Sequence, residues 1–293
     1  MKILITGVKG LLGHEVAQVC REQGDATIET DIASPDLPLD ITDPGAIRGI
    51  LSSRKPDWLI NCAAYTDVDG CESNEHIAFA LNAQAPGTLA RACEEYGTKL
   101  LHISTDYVFN GCKESPYTED DKTDPLSIYG KSKLAGEIGV QEGIEHYIII
   151  RTQWLFGPHG KNFVSTILNI AKDKESISVV NDQRGSPTYS KDLARAIRTL
   201  IGCDARGIYH VCNRGHATWF DLAKSAIEAV ELPTKVVPVG TKDFPRPAHR
   251  PANSILSTKR FTETTGKIMP PWQISLHQYI KEYLMESRSS RRS

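Results

Sequence analysis

Short apolar runs alternate with amphipathic stretches along the first half of this chain. KILIT, residues 2–6, is apolar and five residues long. The stretch from Leu11 to Cys20 then puts Leu12, Val16, Val19 and Cys20 on one side at helical spacing. The alternation repeats. ATIET ends at Asp31, and a Pro/Asp loop leads to Asp40-Ile41. Thr42 or Asp43 caps a helix with Pro44 in its first turn, running to about Arg54. DWLINCAAY holds a buried strand from Trp58 to Ala63. Two helical pieces follow, roughly Asn74–Leu81 and Gln84–Tyr96, the second with Pro86 near its start and Gly97 at its end. KLLHIST reads as a strand, a long polar loop leads to a helix around Tyr129, and HYIIIRTQWLFG reads as one further strand. Strands apolar on both faces and separated by helices predict a parallel sheet covered on each side, a doubly wound, Rossmann-like α/β fold.

Beyond Trp154 the pattern loosens. NFVSTILNIAKDK, SKDLARAIRTLI and WFDLAKSAIEAV read as helices, ISVV, GIYHVC and KVVPV as short strands, and a last helix runs from about Trp272 to Met285. The region predicts a smaller lobe interleaved with returns to the main sheet. Its Pro/Arg-rich stretch, DFPRPAHRPANS, follows KVVPV, and the basic, polar end ESRSSRRS reads as a frayed tail over 287–293.

The turn after KILIT is GVKGLLG, with Gly7, Gly10 and Gly13 in GxxGxxG spacing. Strand, glycine turn and helix in that order make a cradle for a pyrophosphate. The N–H groups at the helix start point at the anion, and glycines let the backbone approach it. A tight turn without a ligand is the bland alternative; the surrounding βαβ pattern favours the nucleotide. Asp31, at the end of ATIET, is placed to bind the ribose hydroxyls of an adenine dinucleotide, against the alternative of an exposed loop carboxylate.

SIYGKSKLAGE sets Tyr129 and Lys133 at i and i+4, on one face of a helix, downstream of the strand that carries Thr105. An ammonium beside the phenol lowers a pKa of about 10 toward working pH, as a general acid requires. YxxxK alone is common on surface helices; its weight here comes from the glycine turn. Sheets of this kind bind ligands at the carboxyl ends of their strands. Gly7, Ala63-Ala64, Thr105 and Trp154 all fall at or just beyond such ends, which predicts one shared site for carbonyl reduction.

Bulk properties narrow the class. A chain of 293 residues and 32.4 kDa suits one large or two smaller domains. Net charge is −2 and the pI near 6.5, so no electrostatic footprint suggests a nucleic acid polymer. No apolar stretch reaches membrane-span length, and KILIT is too short for a signal-peptide core. Seven scattered cysteines lack metal-ligand spacing and read as reduced thiols of a cytoplasmic protein.

The chain resembles the extended short-chain dehydrogenases/reductases, and most closely the dTDP-4-dehydrorhamnose reductase family. GVKGLLG, LDIT, NCAAYTDVDGCE, the LNA around Asn82, STDYVFNG, YGKSKLAGE, RTQWLFG, KNF, VVNDQRGSPT, TWFDLA and RPANSIL carry the resemblance over nearly its whole length. The combination of STDYVF with YGKSK, RTQWLFG and DQRGSPT is specific. It implies a dinucleotide-binding domain over 1–157 plus about 186–213, and a substrate lobe over about 158–185 and 214–286.

By position, the resemblance implies that Tyr129 protonates the 4-keto oxygen of a nucleotide sugar. Lys133 holds the nicotinamide ribose and lowers the Tyr129 pKa, and Thr105 hydrogen-bonds the same oxygen. Gly7, Gly10, Leu11, Leu12 and Gly13 line the pyrophosphate turn, Asp31 faces the adenosine ribose, and Asp40 and Ile41 border the adenine. Ala63, Ala64 and Tyr65 pass close to the cofactor. Thr66, Val68, Asp106, Tyr107 and Trp154 contact the sugar nucleotide, with Arg250 at its diphosphate or base. Each has a plainer counterpart: Trp154 a core aromatic, Tyr107 packing under a loop, Asp106 capping a turn, Arg250 pairing with an acidic surface group, Lys9 a solvated side chain.

The resemblance implies NADPH as cofactor. The Asp31 carboxylate, with no arginine after it, leans toward NADH, so both are carried forward. Some family members hold magnesium at a dimer interface through several glutamates. Glu15 is present, but Tyr189 and Ser190 stand where a partner glutamate is needed, so no metal is expected. The partner is a nucleotide sugar; a membrane is not expected, and the chain acts as a monomer or homodimer. Two rivals share the resemblance: a nucleotide-sugar epimerase or dehydratase, and a non-catalytic NADP-binding subunit like the regulatory beta subunit of methionine adenosyltransferase.

Overall fold

Successive residues along the early strands point into two different cores, so each strand must be apolar on both faces. β1 (Lys2–Thr6) sends Ile3 and Ile5 to one side and Leu4 to the other. β2 (Ala26–Thr30), β3 (Trp58–Asn61), β4 (Lys99–Thr105) and β5 (Tyr147–Thr152) lie parallel with it in the order β2–β1–β3–β4–β5. β5 repeats the alternation: Ile148 and Ile150 join the core of Ile3, while Ile149 joins that of Leu4. Each such fully buried side chain is worth roughly 1.5–3 kcal/mol. The computed structural model describes residues 1–289, with side chains described to residue 285.

The helices cover this sheet. α1 (Leu11–Glu22) packs on the Ile3 face. α2 (Pro44–Arg54) lies on the other face and starts at Asp43, whose carboxylate accepts from the N–H groups of Gly45 (2.8 Å) and Ala46 (3.1 Å). α3 (Val68–Ser73) and α4 (Glu75–Phe79) lead through a π turn, Ala80–Gln84, into α5 (Ala85–Tyr96), which Gly97 closes at φ +67°. α6 (Ile128–Gly143) begins at Ser127, whose hydroxyl accepts from Gly130 N–H. Two findings differ from the sequence pattern here. The two expected helical pieces are joined by the π turn without a break. α3 was not anticipated, because six residues with a central glycine carry no helical period; Asp67 starts it by accepting from Gly70 N–H.

HYIIIRTQWLFG is not one strand. β5 ends at Thr152, Trp154 takes the left-handed conformation at φ +48°, and β6 (Leu155–Phe156) leaves the sheet. α7 (Phe163–Ala171), β7 (Ser176–Val180), β8 (Arg184–Gly185) and β9 (Thr188–Tyr189) follow, with β6 pairing β9 in parallel. α8 (Ser190–Gly202) packs against α1, and β10 (Gly207–His210) takes the sixth place in the main sheet, parallel beside β5. β11 (Ala217–Thr218) pairs β8, α9 (Trp219–Ala229) follows, and β12 (Lys235–Val239) pairs β7. α10 (Lys259–Thr265) and α11 (Trp272–Ser289) complete the chain. α7, α9 and α11 share a separate core around Phe156, Leu168, Leu222 and Leu276. α11 runs past its expected end, and residues 290–293, most of the expected tail, lie outside the described residues. Among the described residues no helix is long and apolar enough to cross a membrane.

Candidate active site

One cleft of about 610 Å³ opens across the carboxyl ends of the strands. At one end the backbone of the glycine turn forms its wall. Gly7 sits at φ +73°, and a Cβ on it would lie 2.7 Å from Ala63 N; one on Gly13 would lie 2.1 Å from Gly7 O. Neither position has room for a side chain. Gly10 is the N-cap of α1, and among the described residues no side chain caps that terminus, so its first N–H groups face the cleft as anion donors. The residues present therefore fit a dinucleotide pyrophosphate. Leu11 and Leu12 line the same wall.

The adenosine end is held by short hydrogen-bonded turns. Asp31 accepts from Lys9 N–H (3.1 Å) and Ala33 N–H (3.0 Å), which aims its carboxylate beside the turn. Asp40 accepts from the N–H (2.8 Å) and hydroxyl (2.7 Å) of Thr42, and Ile41 is buried next to it. Ile32, 70 % exposed, lines the cleft beside Asp31. A large apolar residue in an otherwise polar loop is its only sequence signal.

Ala63 and Ala64 form the floor after β3. Asn82, on the π turn, clamps the next residue: its side-chain oxygen accepts from Tyr65 N–H (2.8 Å) and its amide donates to Tyr65 O (3.0 Å) and to the Ser132 hydroxyl (3.2 Å). The π turn presents this amide, as such irregularities often do near functional sites. The Tyr65 side chain itself turns toward Gly70, outside the cleft lining; its backbone is the part that lies near the floor.

Thr105, Tyr129 and Lys133 come together at the middle of the cleft. Burial pushes the Tyr129 phenol above the usual tyrosine range, and a hydrogen bond with Thr105 pulls it only part of the way back. Lys133 is 2 % exposed and donates to Ile103 O at 2.6 Å. Burial pulls it down to about 8, opposed by Glu137 and Cys62. The expectation that Lys133 lowers the phenol is thus not met in this structure: the β4 carbonyl takes the ammonium, and desolvation governs the phenol.

At the far end, the chain after β4 makes a tight turn, Asp106–Val108, in which Tyr107 N–H donates to Thr105 Oγ1 (3.2 Å) and Thr105 donates to Asp106 (3.0 Å). Tyr107 meets Tyr129 edge to face, ring centres 5.6 Å apart. Asp106 is 1 % exposed, and burial pushes its carboxyl up to about 7 against hydrogen bonds from Ser254 and Thr105. Thr66, Val68 and Trp154 line this end. The Trp154 ring stacks on Trp219 (3.7 Å, 10°), and a Cβ on Gly185 would lie 2.5 Å from its Cε2. Arg250 lies behind this wall: its guanidinium grips Asp69 through two 3.0 Å bonds and touches Tyr107, without itself lining the cleft.

Trp219, Lys161 and Gln153 line the cleft without having been anticipated. All three lie inside runs quoted above, TWFDLA, KNF and RTQWLFG. Nothing in the sequence ties Trp219, 65 residues after Trp154, to the same place.

Residues 1–285 match the family model described as RmlD substrate binding domain. A dTDP-4-dehydrorhamnose reductase of Mycobacterium tuberculosis is 42 % identical over 283 residues, covering 94 % of this chain and 91 % of that one. Among solved structures, a dTDP-4-dehydrorhamnose reductase of Clostridium acetobutylicum superposes with a TM-score of 0.93 at 40 % identity, covering 97 % of this chain and all of that one. The Bacillus anthracis enzyme of the same name, in complex with NADP, does so with 0.92 at 38 %, over 96 % and 99 %. With the cradle, the Thr105–Tyr129–Lys133 cluster and these near full-length matches together, the chain belongs to the dTDP-4-dehydrorhamnose reductase family of extended short-chain dehydrogenases/reductases.

Proposed function

We propose that this chain reduces the 4-keto group of dTDP-4-dehydro-β-L-rhamnose to dTDP-L-rhamnose with NAD(P)H, Tyr129 donating the proton. The observation that carries this reading is the placing of Thr105, Tyr129 and Lys133 in the same cleft as the glycine cradle. The near full-length likeness to reductases of that name supplies the sugar.

The dinucleotide, when bound, supplies the hydride. The chain's own residues do the rest. Gly7, Gly10 and Gly13 admit the pyrophosphate to the α1 N-terminus, where the helix dipole favours negative charge. Asp31 takes the adenosine ribose. Tyr129, kept neutral by burial, is in the form a general acid needs; as the carbonyl oxygen gains charge it takes the phenolic proton, and Thr105 steadies that oxygen. Below about pH 8 Lys133 is an ammonium, the form that donates to the nicotinamide ribose. Asp106 Oδ2 and Gln153 Nε2 are buried without partners among the described residues, and offer an acceptor and a donor for sugar hydroxyls.

We assign the cofactor to residues 1–157 with about 186–213, which complete the main sheet and its α1 face, and the sugar nucleotide to about 158–185 and 214–286. Free thiols at all seven cysteines fit a cytoplasmic enzyme, working as a monomer or homodimer. The test is loss of 340-nm absorbance with dTDP-4-dehydro-β-L-rhamnose and NADPH or NADH. Tyr129→Phe should bind NADPH as the parent does and lose about 10²–10⁴-fold in turnover. Absence of turnover with that sugar nucleotide refutes the reading, and absence of turnover with any sugar nucleotide leaves the non-catalytic NADP-binding subunit in its place.

A further inference from the structure

A line of buried polar groups runs beneath the cleft from β1 to α6. The Ala63 N–H donates to one end of the Asn61 side chain (3.2 Å), and the Thr6 hydroxyl donates to the same atom (2.7 Å). A backbone N–H can only donate, so that atom is the amide oxygen and the orientation of Asn61 is fixed. Its Nδ2 group therefore faces His102 Nδ1, at 3.0 Å. Nδ1 must accept, which leaves the single proton of a neutral ring on Nε2. Nε2 in turn lies 3.5 Å from Lys133 Nζ.

An ammonium at that point is all donor, and it meets another donor where His102 is 1 % and Lys133 2 % exposed. Moving the ring proton to Nδ1 only shifts the conflict to the Asn61 amide. A neutral amine removes it: its lone pair accepts from Nε2–H, and it still donates to Ile103 O. We propose that His102 is a positioning residue for this reaction: locked as its Nε2–H tautomer by Asn61, it presents a donor to the Lys133 nitrogen and sets how readily that ammonium gives up its proton.

The other groups facing Lys133 do not cancel this. Glu137, one turn along α6, is held by Arg151 of β5 (Nη2 to Oε2, 2.7 Å) and by the Ser104 hydroxyl of β4. Cys62, after β3, is a neutral thiol, pushed up to about 12 chiefly by burial. Tyr129, one turn earlier on α6, is a neutral phenol. Burial, and then Lys133, hold His102 well below the usual histidine range, so the ring stays neutral. Lys133 itself is pulled down to about 8, so a step that needs the ammonium fades as pH rises through that value.

The catalytic part of this inference rests on the reductase reading above; the protonation part does not, and is measured without substrate. In ¹⁵N-histidine-labelled protein, His102 should carry its proton on Nε2. In ¹³C-lysine-labelled protein, Lys133, assigned by its loss in Lys133→Met, should titrate near pH 8. His102→Phe deletes the opposing donor, so the Lys133 midpoint and the alkaline limb of kcat should both move up by about half to one pH unit, a three- to tenfold gain in proton affinity. An imidazole that accepted from the ammonium would give the reverse, a midpoint that falls. A proton on Nδ1 in the parent, or a midpoint that falls or stays in His102→Phe, overturns the proposal. If His102→Phe does not fold, the parent's tautomer decides it. A chain with the expected tautomer and titration but no reductase turnover would fail the functional reading alone.

Discussion

The two ends of the cleft are built in opposite ways. At the cofactor end the wall is backbone, and what matters is the absence of side chains at Gly7 and Gly13 and their small size at Ala63 and Ala64. At the sugar end the wall is made of large side chains that three distant segments hold in place. Trp154, strained at φ +48° after β5, is clamped between Gly185 on β8 and Trp219 on α9. A site made from backbone can be encoded in a few adjacent residues. A site made from packed aromatics depends on contacts that no local run of sequence records.

The largest effect expected from breaking this contrast is at Gly13. A Cβ there meets the oxygen and carbon of Gly7 at 2.1 and 2.7 Å, and backbone atoms cannot swing aside. Gly13→Ala should weaken NADPH binding at least ~100-fold, roughly 2.7 kcal/mol, measured by fluorescence titration. Gly49→Ala, inside α2 with nothing within 4 Å, is the control; it should leave binding unchanged and stabilise the fold by about 0.5–1 kcal/mol. Parent-like affinity in Gly13→Ala would remove the case for close backbone approach.

A smaller effect belongs to Gly185, because its Cβ would press on side chains, Trp154 Cε2 at 2.5 Å and Gln153 Oε1 at 2.7 Å. Side chains can yield, so Gly185→Ala should tilt the tryptophan and leave the fold intact. The KM for the sugar nucleotide should rise about tenfold, near 1.4 kcal/mol, with the NADPH dissociation constant within about twofold of the parent. Equal losses for both ligands would mean that the two ends are not separable.

The same contrast explains what was legible in the sequence. Short apolar runs, the Asp43–Pro44 helix start and the Gly97 stop are local signals, and they located most of the sheet and its helices. The glycine turn and the Tyr129–Lys133 spacing are also local. What escaped required partners far along the chain: the π turn that aims Asn82, the break at Trp154, and Trp219 as its stacking partner. The electrostatics of Tyr129 escaped too, since helical spacing predicts that a lysine is near but not that its nitrogen is bonded to the Ile103 carbonyl. Arg250 shows the converse. A cation that the sequence sets near a nucleotide site is bonded here to Asp69.

Asp106 stands at the sugar end, where it accepts from Thr105, and its expected effect falls on the fold and not on ligand binding. Its folded-state carboxyl is raised to about 7 by burial, from an unfolded value of about 3.9. The native state therefore holds a proton that the unfolded chain has lost, and stability falls as pH rises across that interval. Above about pH 7 the ionised carboxylate leaves Oδ2 buried without a donor among the described residues. Asp106→Asn keeps the shape and cannot ionise. Its Tm should match the parent's near pH 4 and exceed it by roughly 10 °C at pH 8, since about 3 pKa units are about 4 kcal/mol and each kcal/mol is worth about 2–4 °C. A difference that stays flat from pH 5 to 8 would mean that the carboxyl is ionised throughout. The sugar end would then hold a fixed negative charge, and Asp106 could only accept from sugar hydroxyls and never donate.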